Sequence, residues 1–125
     1  MRVLITAGAS GLGFAMGEAF EVAGYEVWVT DVDGAALAGC PTTWTTRNVD
    51  ASNDAQMSAL FDELGAGGGL DAVCANAGVA GPTALVEDVA WDDWRACVDV
   101  TLGGAFLTAK YAAPLMKSAG AGAIV

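Results

Sequence analysis

The sequence contains no histidine. That excludes Ser-His-Asp triads, imidazole general bases and histidine metal ligands. Bases are scarce as well: 5 Lys and Arg stand against 15 Asp and Glu, for a formal net charge of -10. This balance repels phosphate backbones and anionic membranes, so no nucleic-acid or membrane partner is expected. A nucleotide cofactor stays open, because local backbone dipoles can hold one. The three cysteines, Cys40, Cys74 and Cys97, show no C-x-x-C spacing. They read as reduced thiols, not as a disulfide frame or a zinc site, and no metal is expected. No unbroken apolar run reaches the roughly 20 residues of a membrane span. The longest helical apolar stretch, Val98 to Met116, is interrupted by Lys110 and Pro114. Met1-Arg2-Val3 runs straight into an apolar strand pattern, which leaves no room for a signal peptide. A cytoplasmic protein is expected.

What is present suits a folded core. Hydrophobic residues make up 54% of 125, and charged residues 16%. That argues against intrinsic disorder and leaves room for one domain, or part of one.

Strand and helix patterns alternate. Val3-Leu4-Ile5 is a short continuous apolar run, as in a strand buried on both faces. Gly11 to Ala23 reads as a helix, with Leu12, Ala15, Met16, Ala19, Phe20 and Ala23 on its apolar stripe. Gly24 follows as its terminating glycine. Val27 to Thr30 predicts a second strand ending at Asp31, and Gly34 to Ala38 a short helix. Thr42 to Val49, rich in β-branched residues, predicts a third strand. Asn53 to Leu64 is amphipathic, with Met57, Leu60, Phe61 and Leu64 on one face and Ser52 or Asn53 as cap. Gly65 to Gly69 is glycine-rich but follows a helix and precedes a strand. A phosphate loop has the opposite order, so this segment reads as a connector.

Leu70 to Ala75 predicts a fourth strand, and Gly78 to Val89 a loop. A long helix is expected from Trp91 to Lys117, with Trp94, Val98, Leu102, Phe106, Ala109, Ala113 and Met116 inward. Pro114 should kink it or shorten its last turn. Trp91 and Trp94 read as packing residues. Glu87-Asp88 and Asp92-Asp93 flank the helix start and suit its positive dipole end. Gly120 to Val125 begins a fifth strand. The alternation predicts an α/β protein with a doubly wound parallel sheet, truncated after the start of the fifth strand.

The chemistry sits at the strand ends. Thr6-Ala7-Gly8-Ala9-Ser10-Gly11-Leu12-Gly13 joins the first strand to the first helix. Glycines here let the backbone approach a pyrophosphate, and the free amides at the helix N-terminus point at its oxygens. The spacing is G-x-x-G-x-G, not the usual G-x-G-x-x-G. Asp31 ends the second strand, where a carboxylate can accept bonds from both ribose hydroxyls of NAD. The same charge repels the 2′-phosphate of NADP, and no Arg or Lys lies in the turn or just after Asp31 to offset it. A solvated acid, or a cap for the helix at Gly34, is the plainer alternative.

These segments resemble the short-chain dehydrogenase/reductase family, whose turn reads T-G-x-x-x-G-x-G. Thr6, Gly11 and Gly13 match it, while Ala7 replaces the first glycine. Asp50-Ala51-Ser52-Asn53 resembles the family's segment after the third strand, where the aspartate bonds the adenine amino group. Ala75-Asn76-Ala77-Gly78 resembles its N-N-A-G strand end, with Ala75 in place of the first Asn. That segment braces the sheet and lies beside the cofactor ribose. The long helix and Gly122-Ala123-Ile124-Val125 resemble the family's next helix and strand, so the resemblance covers the whole chain. It implies a Rossmann-like fold, and a single NAD-binding unit over residues 1–125, incomplete at its C-terminal side. The implied cofactor-binding residues are Gly8, Ser10, Gly11, Leu12, Gly13, Asp31, Asp50, Ala51, Asn76, Ala77 and Gly78. NAD is the expected cofactor; NADP is disfavoured by Asp31.

The resemblance also implies what is missing. No Y-x-x-x-K occurs in these 125 residues, and Val100-Thr101-Leu102 puts Thr101 where the family has a catalytic Asn. Threonine can hydrogen-bond but lacks the amide geometry. No catalytic residue is therefore assigned in this chain, which is expected to be inactive alone. The implied activity of the complete protein is NAD(H)-dependent alcohol–ketone interconversion by a homo-oligomer. The alternative is a non-catalytic nucleotide-binding or interaction module.

Overall fold

The computed structural model describes residues 1–125. It contains five strands and five α-helices, the last two helices both lying between the fourth and fifth strands. They are β1 (Arg2–Thr6), α1 (Gly11–Val22), β2 (Glu26–Asp31), α2 (Gly34–Ala38), β3 (Thr45–Asn48), α3 (Asp54–Ala66), β4 (Ala72–Cys74), α4 (Trp91–Val98), α5 (Gly104–Ala119) and β5 (Ala123–Ile124). One parallel sheet has the order β3-β2-β1-β4-β5. The order reverses between β1 and β4, so the crevice at their carboxyl ends is the place where such sheets take ligands.

Both faces of the sheet are covered, as the continuous apolar runs of β1 and β2 require. Successive side chains alternate between two cores. Leu4, Trp28 and Val73 face α3 and α5, against Met57, Leu60, Phe61, Leu64, Leu107 and Met116. Val3, Ile5, Val27, Val29 and Cys74 face the other way, with Leu37 and Trp44. Each fully buried Leu, Ile, Val or Met contributes about 1.5–3 kcal/mol. Strands so enclosed hold their carboxyl ends in fixed register, and those ends carry the site.

Helix α1 sits close on the sheet because its inward residues are Gly13 and Gly17. A methyl group on Gly17 would meet the Trp44 ring within 2.7 Å. The expected stripe is therefore corrected. Leu12, Ala15, Ala19 and Ala23 are exposed, while Phe14, Met16 and Phe20 pack half-buried along the flanks. The helix ends as expected. Gly24 takes a left-handed conformation (φ +84°), and the amides of Gly24 and Tyr25 return to the carbonyls of Glu21 and Phe20. That is a Schellman closure.

Helix α3 is fastened at its start. Asn53 Oδ1 accepts from the Gln56 amide at 3.0 Å, and Gln56 Oε1 accepts from the Asp50 amide at 2.8 Å. Asn53→Ala is expected to cost about 1 kcal/mol, read as a fall in Tm of roughly 4 °C in a thermal melt. The helix runs on through Gly65 and Ala66, so the glycine connector is shorter than expected.

The long helix differs more. A single π-helical stretch, Asp99–Gly103, joins α4 to α5, and the helix runs through Pro114 to Ala119. The irregularity lies at Asp99–Gly103, not at the proline. A π turn carries extra residues per turn and shifts the phase of the face that follows it. Gly104, Leu107, Thr108, Ala112 and Met116 are buried, whereas Trp94, Leu102 and Phe106 of the expected stripe are exposed. Trp91 and Trp94 stack on each other in solvent, with ring centroids 5.0 Å apart. The strands β3, β4 and β5 are also shorter than their apolar patterns suggest. No helix is long and apolar enough to cross a membrane.

Candidate functional site

The carboxyl ends of β1, β2, β3 and β4 surround a cleft of about 410 Å³. Of the residues anticipated from sequence, Ser10, Asp31, Asp50, Ala51, Ala77 and Gly78 line it. Five more line it unannounced: Ala7, Val32, Val49, Val79 and Val100. These valines and Ala7 adjoin the polar motifs in sequence, but apolar residues at strand ends look like core. Adjacency was the only signal. No Lys or Arg lines the cleft.

The β1–α1 turn forms one wall. Gly8 is buried, and its amide donates to the Thr30 carbonyl at 2.9 Å. Gly13 is buried beneath the turn, while Gly11 (φ +54°) and Leu12 point outward and do not line the cleft. Ser10 makes no capping bond with its side chain. Helices α2 and α3 are capped by Asp33 and Asn53, but the first-turn amides of α1 have no side-chain partner. Such amides satisfy a phosphate.

Asp31 stands beside this turn, half-buried at the end of β2. Its Oδ2 accepts from the Ala9 amide at 3.2 Å and its Oδ1 from the Asp33 amide at 3.1 Å. The carboxylate is thus oriented by the glycine turn before any ligand arrives. The helix-cap reading of Asp31 is ruled out, because Asp33 caps α2, accepting from the Ala35 and Ala36 amides. Burial pushes the nearby Cys40 thiol up, and the Asp31 carboxylate adds to the shift. Asp50 Oδ1 accepts from the Ser52 amide and hydroxyl at 2.8 and 2.7 Å, which turns the chain and presents Ala51 to the cleft.

Asn76 does not line the cleft. It lies behind the turn and donates from Nδ2 to the carbonyls of Thr6 and Ala7, at 3.0 and 3.1 Å. Ala77 donates its amide to Thr6 Oγ1 at 3.0 Å. This bracing matches what the motif implies. Thr101, in the π-helical stretch, has its hydroxyl committed to the Val79 backbone. It accepts from the amide at 3.2 Å and lies 3.3 Å from the carbonyl. It holds the loop after β4 and is not a cleft residue.

A strand–turn–helix with uncapped amides lies beside an acid at the end of the neighbouring second strand, next to the reversal point of a parallel sheet. That arrangement fits a dinucleotide: amides for the pyrophosphate, a carboxylate for the ribose, and valine and alanine walls for the adenine. The family model described as enoyl-(acyl carrier protein) reductase matches residues 6–125. This chain belongs to the short-chain dehydrogenase/reductase family. It is 35% identical to a cis-4-hydroxycyclohexanecarboxylate dehydrogenase of Sinomonas cyclohexanicum, over 98% of this chain and 52% of that protein. It is 33% identical to an NADP-dependent (R)-specific alcohol dehydrogenase of Lentilactobacillus kefiri, over 98% of this chain and 51% of the other. A 3-ketoacyl-ACP reductase from Sinorhizobium meliloti superposes with a TM-score of 0.89 at 31% identity, over 99% of this chain and 52% of that one. The chain spans about half the length of the curated relatives it matches. The parallel Rossmann-like sheet expected from sequence is the fold this short-chain family member has.

Proposed function

We propose that this chain is the coenzyme-binding portion of an NAD(H)-dependent oxidoreductase that interconverts alcohols and ketones. The observation that carries the reading is Asp31: an oriented carboxylate on the cleft wall, beside a turn with uncapped amides, with no cation in the lining. One relative is named NADP-dependent, so the choice of cofactor rests on this chain's own residues. When bound, the nicotinamide supplies or takes up hydride. The residues here bind and orient. The α1 amides receive the pyrophosphate, Asp31 accepts from the ribose hydroxyls, and Ala51, Val49 and Val100 enclose the base. Asn76 and Thr101 hold the two loops that frame the cleft. The proposal extends to a homo-oligomer of the complete protein, which the exposed Leu102 and Phe106 on the long helix support.

Calorimetric titration with NAD⁺ and NADP⁺ tests the reading. NAD⁺ is expected to bind at least about tenfold more tightly, a difference of ~1.4 kcal/mol. Equal affinities, or tighter NADP⁺, would overturn it.

A further inference from the structure

Ala7 is the only residue other than glycine with a left-handed backbone (φ +51°). It opens the β1–α1 turn and lines the cleft. An L-residue with a β-carbon resists that conformation, and such outliers persist only where the surroundings over-determine them. The surroundings can be named. Asn76 Nδ2 donates to both carbonyls on either side of the Ala7 α-carbon, those of Thr6 and Ala7. The next amide, of Gly8, is tied to Thr30. Helix α1 rests on the same knot, because a β-carbon on Gly13 would collide with the Ala7 carbonyl and lie 2.7 Å from Asn76 Nδ2.

We propose that Asn76 is a positioning residue for the cofactor and acts through Ala7. Its amide holds residue 7 left-handed, and that conformation sets the Ala7–Gly8 peptide and the amides after it against the ligand. Without the amide, Ala7 relaxes toward an ordinary conformation and the turn rotates away from the cleft. A glycine at position 7 has no such preference, so the turn would then keep its shape without help. The inference rests on the dinucleotide reading of the cleft. Its distinctive content is non-additivity between two residues.

The test is a double-mutant cycle in this protein, with NAD⁺ affinity and Tm both measured. Asn76→Ala is expected to weaken NAD⁺ about tenfold, the loss of ~1.4 kcal/mol. On the Ala7→Gly background the same change is expected to weaken it less than about threefold, ~0.6 kcal/mol. Ala7→Gly alone should raise Tm, because glycine adopts the left-handed conformation without strain. The Tm loss from Asn76→Ala should likewise be smaller on the Ala7→Gly background. Equal fold-losses of affinity on the two backgrounds overturn the proposal, even where the Tm losses are coupled. If the parent protein binds no NAD⁺, the proposed function fails, and the Tm cycle still decides the coupling: equal Tm losses refute it. Should Asn76→Ala not fold, Asn76→Ser, which keeps one donor, gives the same comparison.

Discussion

Gly13→Ala is expected to destabilise the protein by about 3 kcal/mol or more, a fall in Tm of roughly 10 °C, and to abolish cofactor binding. Helix propensity alone predicts the opposite sign, since alanine is favoured over glycine inside a helix by about 1 kcal/mol. The surroundings of the added methyl decide against propensity. It would collide with the Ala7 carbonyl oxygen and lie 2.7 Å from Asn76 Nδ2 and 2.9 Å from the Gly8 α-carbon. Two of these three atoms are backbone, in a turn already tied to β2 and to the segment after β4 by hydrogen bonds. A side chain could rotate away; this turn cannot without releasing those bonds. Helix α1 would have to lift from the sheet and carry its first-turn amides with it. Gly34→Ala provides the contrast within the same protein. Gly34 also starts a helix, but nothing lies within 4 Å of the added methyl. That change should leave Tm unchanged or raise it by up to about 3 °C. Paired thermal melts check both, and a Gly13→Ala protein with the parent's Tm and NAD⁺ affinity would refute the close approach of α1 to the turn.

The same contact shows where sequence reasoning holds and where it stops. Val3-Leu4-Ile5 was legible as a strand buried on both faces, because a continuous apolar run bounded by a turn has few other solutions, and Val27 to Thr30 as the strand that follows α1. All of them are buried. The end of α1 was legible because a left-handed closure selects Gly24. The face of α1 was not. A periodicity argument turns large apolar residues inward, but α1 approaches the sheet through Gly13 and Gly17, and Trp44 fills the space. Nor could a pattern of period 3.6 anticipate the π-helical Asp99–Gly103, after which Leu107, Ala112 and Met116 take the buried face and Phe106 the exposed one. In the cleft, polar and glycine motifs stood out, because few roles suit an acid at a strand end. The apolar walls, Val49, Val79 and Val100, did not, since a cleft-lining valine and a core valine are the same in sequence. The partners of Asn76 and Thr101 also lay beyond reach, because backbone carbonyls carry no sequence signature.

Asp31→Ala is expected to weaken NAD⁺ binding by about 10- to 100-fold, the loss of a charge-assisted hydrogen bond of ~1.5–3 kcal/mol, and to erase the preference over NADP⁺. Two effects are joined in that number. In the proposed function the carboxylate accepts from the ribose; in the structure it also holds the Ala9 amide at 3.2 Å and the Asp33 amide at 3.1 Å. Alanine removes all of these, so a loss of NAD⁺ affinity alone would not separate ligand contact from a loosened turn. The 2′-phosphate of NADP⁺ separates them. Repulsion between it and Asp31 depends on charge, whereas the hold on the turn depends on an acceptor oxygen. Asp31→Asn keeps an acceptor and the size of the side chain but removes the charge. It is expected to bind NADP⁺ about tenfold more tightly than the parent does, while losing less NAD⁺ affinity than Asp31→Ala. Salt gives a second readout. Screening acts over about 10 Å at 0.1 M, so raising the salt should narrow the NAD⁺ to NADP⁺ gap in the parent and leave the gap in Asp31→Asn nearly unchanged. Unchanged NADP⁺ affinity in Asp31→Asn would mean that the carboxylate serves the turn and not cofactor choice. A gain in NADP⁺ affinity that disappears at high salt would place the discrimination in the charge of this one side chain.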